Sequence, residues 1–166
     1  MAAALKEKVE LELAGEDEKS ARLNNGLSAL DTRLKCMNMR RVAMEGDGNC
    51  QFRSIVHHVL RDQDRHAEIR SLAMEWIRAN PQDFEIYFET GDAFRTWAND
   101  MARDRTWGDE LTLRAVCDAL GYKVHVVQST GENWYLLYEP CENKGAKQIF
   151  VSYISPVHYD AIALVD

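Results

Sequence analysis

The segment Asp47-Gly48-Asn49-Cys50-Gln51-Phe52 places a cysteine where a glycine-containing loop meets the start of a helical pattern. Apolar residues then recur at helical spacing: Phe52, Ile55, Val56, Val59 and Leu60. The first turn of a helix presents unpaired N–H groups and a partial positive charge, which favour an ionised thiolate and can bind an oxyanion. Spacing alone leaves two interpretations open: a nucleophilic cysteine, or a buried cysteine beside an Asp-Gly turn.

A histidine near the carboxyl end supplies the base that a nucleophilic cysteine needs. The segment Ser155-Pro156-Val157-His158-Tyr159-Asp160 has a strand-like pattern, and residues two apart on a strand share a face. Asp160 can therefore accept a hydrogen bond from one imidazole nitrogen of His158, which leaves the other nitrogen for a thiolate. A lone histidine in a strand is more often structural, so this prediction depends on the pair. A cysteine that precedes a remote histidine is also the order of papain-like proteases.

The remaining pattern places helices before strands. We expect helices over 20–34, 50–60, 65–77, 81–88, 91–101 and 111–120. We expect strands over 123–128, 134–138, 148–154 and 159–165, a short strand or turn over 41–44, and a hairpin turn over 131–133. This order is typical of an α+β domain.

The length of 166 residues is that of one domain. Residues 1–19 are rich in Glu, Lys and Ala, and Gly15 and its acidic neighbours interrupt the periodicity, which predicts a flexible or weakly helical leader. Residues 20–166 then form a single domain that includes an N-terminal helix around Leu23 to Leu34. That helix either packs on the body or contacts a substrate.

Composition excludes several classes of protein. The formal charge is −7 and no run of basic residues is present, so we expect no binding of nucleic acid. The longest apolar runs are far too short for a membrane helix. The amino terminus lacks a secretory signal, which predicts a cytoplasmic, or nuclear, protein with reduced thiols. The four cysteines form no CxxC pair, and His57 and His58 point about 100° apart on a helix, so no metal or cofactor is expected.

Three segments together resemble the ovarian tumour (OTU) family of cysteine deubiquitinases. They are Gly46-Asp47-Gly48-Asn49-Cys50-Gln51-Phe52-Arg53, Trp107-Gly108-Asp109-Glu110-Leu111 and His158-Tyr159-Asp160. The resemblance covers about residues 40–165 and leaves the leader unmatched. It implies a papain-like α+β fold with a small, mostly antiparallel sheet flanked by helices, so that 20–166 is an OTU-type catalytic domain.

The resemblance also implies the roles of the site residues. Cys50 is the nucleophile, His158 is its base, and Asp47 and Asp160 occupy the family's two acidic positions. The resemblance leaves open which carboxylate orients the imidazole. Strand geometry favours Asp160, and Asp47 then shapes the loop and the oxyanion hole. The expected donors of that hole are the backbone N–H groups of Gly48, Asn49 and Cys50.

The function implied is that of a thiol isopeptidase. Cys50 attacks the carbonyl of the terminal glycine of ubiquitin, and His158 protonates the departing lysine. The expected partner is ubiquitin, polyubiquitin or a ubiquitin-like modifier, bound by a monomer. Trp107, Tyr153 and Tyr159 are candidate walls of the substrate channel, although aromatic residues at such positions also serve as core.

Two other hypotheses compete with the isopeptidase. One is a catalytically silent domain of the same fold that only binds ubiquitin. The other is a redox-sensing thiol protein that uses Cys50. The intact set of Cys50, His158 and Asp160 argues against a pure binding module, and the lack of a nearby resolving cysteine argues against the redox sensor.

Overall fold

The structure is a computed structural model that describes residues 2–142, 145 and 147–165, with the backbone alone described for residues 2–13. Five α-helices are present in this part of the chain: α1 (Ala2–Cys36), α2 (Cys50–Leu60), α3 (His66–Ala79), α4 (Gly91–Met101) and α5 (Glu110–Leu120). Three short 3-10 helices lie between them: Gln63–Arg65, Pro81–Asp83 and Glu85–Tyr87.

The segment from Pro81 to Phe88 differs from the predicted helix. It forms two separate 3-10 turns, and Phe88 is already extended with φ −119° and ψ 146°. Phe84 is buried, but Ile86 and Tyr87 are 74% and 66% exposed. The segment therefore lacks the continuous buried face that stabilises a short helix through tertiary packing.

The five strands form one mixed sheet. They are β1 (Met39–Val42), β2 (Lys123–Gln128), β3 (Tyr135–Tyr138), β4 (Gln148–Ile154) and β5 (His158–Leu164). Their order is β1-β5-β4-β2-β3, and all neighbouring pairs are antiparallel except β2 and β4. The sheet is thus mostly antiparallel, and β2 and β3 pair across the predicted hairpin turn. The last strand, β5, lies inside the sheet between β1 and β4.

The sheet separates two hydrophobic clusters. In the larger cluster, the four helices α2, α3, α4 and α5 pack on one face of the sheet. It includes Phe52, Ile55, Ile77, Leu113 and Val151. The smaller one lies against α1 and contains Leu30, Leu34, Val127, Ile154 and Ile162. Helices therefore cover both faces of the sheet, as expected for an α+β papain-like OTU fold.

Helix α1 runs without a break through the predicted boundary near residue 19. Its C-terminal part is fixed to the body, because Leu30 and Leu34 are fully buried and Arg33 Nη1 donates to the Gln128 carbonyl at 2.6 Å. Leu23, at 37% exposure, lies at the edge of this contact. Although α1 is long, neither it nor any other helix in the described part of the chain is apolar enough to cross a membrane.

Candidate active site

Cys50 is the first residue of α2 and lies at the N-terminal end of this helix. The preceding residue, Asn49, is the N-cap, but its side chain makes no capping hydrogen bond. Within the described residues, the first-turn N–H groups have no hydrogen-bond acceptor: those of Cys50, Gln51 and Phe52. Unpaired N–H groups at a helix start form an electropositive environment, and Cys50 lies there as the first residue of α2.

The first two residues of β5 contact the thiol. The His158 side chain forms a hydrogen bond with Cys50, and the Tyr159 backbone N–H donates to Cys50 Sγ at 3.4 Å. On its other side, His158 Nε2 donates to Asp160 Oδ1 at 3.0 Å. Since Nε2 is occupied by the carboxylate, Nδ1 is the nitrogen left for the thiol. The fold thus brings Cys50, His158 and Asp160 into one hydrogen-bonded chain.

Asp160 is nearly fully buried and is held at both oxygens. Oδ1 also accepts from the Met44 backbone N–H at 2.9 Å, and Oδ2 accepts from Arg41 Nη1 at 3.1 Å. Burial raises the pKa of this carboxyl, but the hydrogen bonds from His158, Met44 and Arg41 outweigh it, and the net pKa is lowered. Asp160 is therefore an ionised acceptor at neutral pH.

The imidazole of His158 carries a proton at neutral pH. The hydrogen bond to Asp160, followed by the one to Cys50, raises the pKa of His158 to about 10, against the opposing effect of burial. A site with the proton on the imidazole keeps a general acid beside the sulfur.

Asp47 has different partners from Asp160. Arg53 binds it with two bonds, Nη2 to Oδ2 at 2.7 Å and Nε to Oδ1 at 3.2 Å. Asn49 adds its backbone N–H at 3.0 Å and its side-chain amide at 3.1 Å. The Arg53 hydrogen bond is the main reason that the pKa of Asp47 is lowered. Asp47 is thus bound within its own loop and not to His158.

The loop before Cys50 is fixed against the segment that precedes Trp107. Asn49, 1% exposed, accepts from Arg70 Nη2 at 2.7 Å and from the Arg105 N–H at 3.1 Å. Gly48 has φ +88°, and a Cβ at this position would lie 2.2 Å from the Arg105 carbonyl oxygen. Glycine is therefore required at Gly48 both for its backbone angle and for the close approach of Arg105.

The three predicted oxyanion donors differ in their hydrogen bonding. The N–H of Asn49 donates to Asp47 Oδ1 at 3.0 Å, so in this conformation it is not free to bind an oxyanion. The N–H groups of Gly48 and Cys50 have no acceptor within the described part of the chain. These two groups remain the candidates.

A small cavity of about 30 Å³ opens at Cys50. All three candidate wall residues line it, together with Gln51, Gly108 and the segment 156–158. Trp107 is 59% exposed, whereas Tyr153 and Tyr159 stack with ring centroids 4.4 Å apart and also pack on the larger core cluster. The two tyrosines therefore form a fixed wall, and Trp107 forms a free rim.

Sequence reasoning missed several residues that support the site. Arg41 binds Asp160 from 119 positions away, and no local pattern indicates such a pair. Arg70 binds Asn49 from 21 positions away, on the next α-helix. Gln51 was detectable, because it and Asp109 both lie in the quoted motifs. Its Nε2 donates to the Asp109 carbonyl at 3.0 Å, and its Oε1 accepts from Thr112 Oγ1 at 2.6 Å.

His58, His125 and Cys117 have partners outside this site. His58 Nε2 donates to the Phe150 carbonyl at 2.7 Å, and His125 stacks on the Phe150 ring. Cys117 is fully buried, which raises the pKa of its thiol to about 11. Among the described residues, no group of three or more His, Cys, Asp or Glu side chains is placed to hold a metal ion.

Known proteins share this architecture. A family model described as OTU-like cysteine protease matches residues 45–161. OVARIAN TUMOR DOMAIN-containing deubiquitinating enzyme 10 of Arabidopsis thaliana is 32% identical over 135 residues, which is 81% of this chain and 37% of that protein. Enzyme 9 of the same name and organism is 30% identical over 155 residues, 93% of this chain and 43% of that protein.

Solved structures give the same result. The OTU domain of OTUD1 is similar with a TM-score of 0.75 and 25% identity, covering 87% of this chain and 99% of that one. An OTU domain in complex with ubiquitin has a TM-score of 0.61 at 19% identity, covering 75% of this chain and 69% of that one, which shows the fold alone.

Fold and site together define an α+β protein with a cysteine–histidine–aspartate centre of the papain-like kind. The chain belongs to the family of OTU-like cysteine proteases. It spans less than half of the length of the two Arabidopsis relatives.

Proposed function

We propose that this chain is a cysteine-type deubiquitinase that cleaves the bond after the C-terminal glycine of ubiquitin, of polyubiquitin or of a ubiquitin-like modifier. The observation that carries the proposal is the hydrogen-bonded chain from Cys50 through His158 to Asp160 at the open N-terminus of α2. The Arabidopsis relatives are named deubiquitinating enzymes, and one similar structure is of an OTU domain in complex with ubiquitin.

The first chemical step is acyl transfer to sulfur. The Cys50 thiolate attacks the carbonyl carbon of the terminal glycine, and the N–H groups of Gly48 and Cys50 bind the oxyanion that forms. The C–N bond then breaks, and the His158 imidazolium gives its Nδ1 proton to the departing lysine amine. The products of this step are a thioester, a neutral imidazole and a free amine.

The second step is hydrolysis of the thioester. Neutral His158 takes a proton from a water molecule as its oxygen attacks the thioester carbonyl. The C–S bond breaks, which releases the ubiquitin carboxyl group and restores the thiolate and the imidazolium. Asp160 keeps the imidazole in one orientation throughout and stabilises its charged form.

The shape of the site supports a substrate that ends in glycine. The cavity beside Cys50 is small, at about 30 Å³, and we infer that it accepts a narrow glycine tail. We infer that Tyr153 and Tyr159 form one wall of the channel and that Trp107 closes over the extended tail of ubiquitin. The exposure of Trp107 at 59% in the free protein fits a residue that becomes covered by substrate.

The proposal is tested with ubiquitin that carries a C-terminal electrophile. We expect a covalent adduct heavier by one ubiquitin, formed at Cys50, absent in Cys50→Ala and strongly reduced in His158→Ala. Cys141→Ala is the matched control, because Cys141 is exposed but lies outside the active-site cavity, and its adduct should equal that of the wild type. A wild-type protein that binds ubiquitin and forms no adduct would instead be the silent binding module.

A further inference from the structure

The catalytic carboxylate is bound by an arginine that lies outside the family match. Arg41 lies on β1 and precedes the matched segment 45–161. Its Nη1 donates to Asp160 Oδ2 at 3.1 Å, and its Nε donates to Asp31 Oδ1 at 3.0 Å. Arg41 therefore connects helix α1 to the residue that holds the catalytic imidazole.

Sheet register explains how these side chains meet. In the antiparallel pairing of β1 with β5, Arg41 lies opposite Ile162. Directly opposite residues share a face of the sheet, and so do residues two apart on one strand, so Arg41 lies on the same face as Asp160 and His158. This is the face that α1 covers, because Ile162 packs in the cluster with Leu30. Asp31, one residue further along α1, reaches Arg41 from there.

The carboxylate of Asp160 has three hydrogen bonds divided between its two oxygens. Oδ1 takes the imidazole and the Met44 N–H, while Arg41 occupies Oδ2. With Oδ2 held, rotation of the carboxylate would break the Arg41 contact, so the orientation that serves His158 is favoured. Asp160 is 4% exposed at its side chain, and no solvent contact of comparable strength replaces a lost donor.

We propose that Arg41, held in place by Asp31 of α1, is a positioning residue that fixes the Asp160 carboxylate toward the His158 imidazole. This inference rests on the proposed cysteine-hydrolase function. Arg41 touches neither substrate nor the reacting atoms and acts through Asp160. Helix α1 is thus part of the catalytic support, although the family match does not include it.

The electrostatics of the site fit this role. The titratable groups that face His158 are Asp160 on its own strand and Cys50 at the start of α2. Arg41 on β1 and Asp31 on α1 act one contact further away. The hydrogen bond from Arg41 is among the causes that lower the pKa of Asp160 against the effect of burial.

The test compares Arg41→Met with Arg40→Met. Arg40 is the neighbouring residue on the opposite, exposed side of β1, and its side chain makes no hydrogen bond or ion pair with any described residue. On ubiquitin with a fluorogenic C-terminal amide, we expect Arg41→Met to lower kcat by about 10- to 100-fold with KM little changed, as for a misplaced catalytic group. Arg40→Met should match the wild type. Arg41→Lys should recover part of the lost kcat, because an ammonium can still reach one oxygen.

A second readout needs no ubiquitin and separates this inference from the proposed function. The rate at which iodoacetamide alkylates Cys50 is measured against pH, with the modified peptide identified by mass spectrometry. We expect the alkaline step, where the imidazolium loses its proton, to move to lower pH in Arg41→Met and less far in Asp31→Asn. Asp31 is a surface residue of α1, so its variant retains the fold.

Two results would overturn the proposal. One is an alkaline step in Arg41→Met that stays in place or moves to higher pH, since the arginine would then act only as a charge or a structural contact. The other is a kcat in folded Arg41→Met equal to that of Arg40→Met. If no variant and no wild type cleaves the ubiquitin amide, the proposed function fails, and the alkylation profile still decides the role of Arg41.

Discussion

Two carboxylate–arginine pairs flank the catalytic centre, and they are built differently. Asp47, three residues before Cys50, receives two bonds from Arg53 and two more from Asn49. Asp160, two residues after His158, receives one bond from Arg41 on Oδ2, and its Oδ1 accepts from the imidazole and from the Met44 N–H.

The two pairs differ in what the carboxylate is still free to bind. When an arginine occupies both oxygens, the pair fixes the backbone around it, as Asp47 does for the cysteine loop. When an arginine takes a single oxygen, the other can orient an imidazole. Both carboxylates lie within three residues of Cys50 or His158, so sequence distance does not separate the two cases. They differ in whether an arginine binds one oxygen or both.

The largest effect is expected for Asp160→Ala. Without its acceptor the imidazole loses both its orientation and the main cause of its raised pKa, so kcat should fall by about 10²- to 10⁴-fold, as for the loss of the equivalent aspartate in serine proteases. The measurement is steady-state cleavage of the fluorogenic ubiquitin amide, with melting temperature as the control for folding. A rate close to that of the wild type would transfer the orienting role to Asp47.

A smaller effect, mainly on stability, is expected for Asp47→Asn. The change weakens a bidentate pair in which the Arg53 side chain is 7% exposed, and the free energy of unfolding should drop by on the order of 2 kcal/mol. Glu45 and Asp64 also contact Arg53 and limit the loss. Urea denaturation measures this value. Unchanged stability together with a loss of kcat as large as in Asp160→Ala would mean that Asp47 acts on the imidazole.

The smallest effect is the pH dependence of stability, which should have opposite signs at the two pairs. The raised pKa of His158 adds stability that is complete below pH 6.5 and is lost as the pH rises to about 10. The lowered pKa of Asp47 adds stability that is present above pH 3.8 and is lost as the pH falls below it. Melting temperatures of Asp47→Asn should therefore vary less on the acid side, and those of His158→Gln less on the alkaline side. If Asp47→Asn instead reduces the change of melting temperature with pH on the alkaline side, the Asp47 and Asp160 regions are coupled. The two carboxylate–arginine pairs would then not be independent.

Much of the site was predictable because local patterns place it. A glycine loop followed by helical spacing fixed the position of Cys50 at a helix start, and strand periodicity placed His158 and Asp160 on one face. The oxyanion donors were less predictable. The Asn49 N–H is free for a substrate only if the Asp47 carboxylate does not accept from it. The orientation of that carboxylate is set by its two bonds from the buried Arg53.

Long-range partners and the behaviour of α1 were not predictable. Arg41 meets Asp160 only because β1 pairs with β5, and the sequence gives no register for strands separated by most of the chain. The interruption around Gly15 suggested a boundary, yet one glycine costs a helix only about 1 kcal/mol, and α1 continues through it. In contrast, segment 81–88 has helical spacing of its apolar residues, but Ile86 and Tyr87 have no surface of the domain to pack on. The segment therefore forms two short 3-10 helices.

The interior position of β5 has a consequence for how activity arises during biosynthesis. The nucleophile is in place early in the chain, but its base enters with the last strand, which must insert between β1 and β4. Among the described strands, β5 is the neighbour of β1, so a polypeptide cut before His158 would leave β1 unpaired and β4 with an open edge. The Cys50 thiol therefore lacks its imidazole partner until β5 has inserted between β1 and β4.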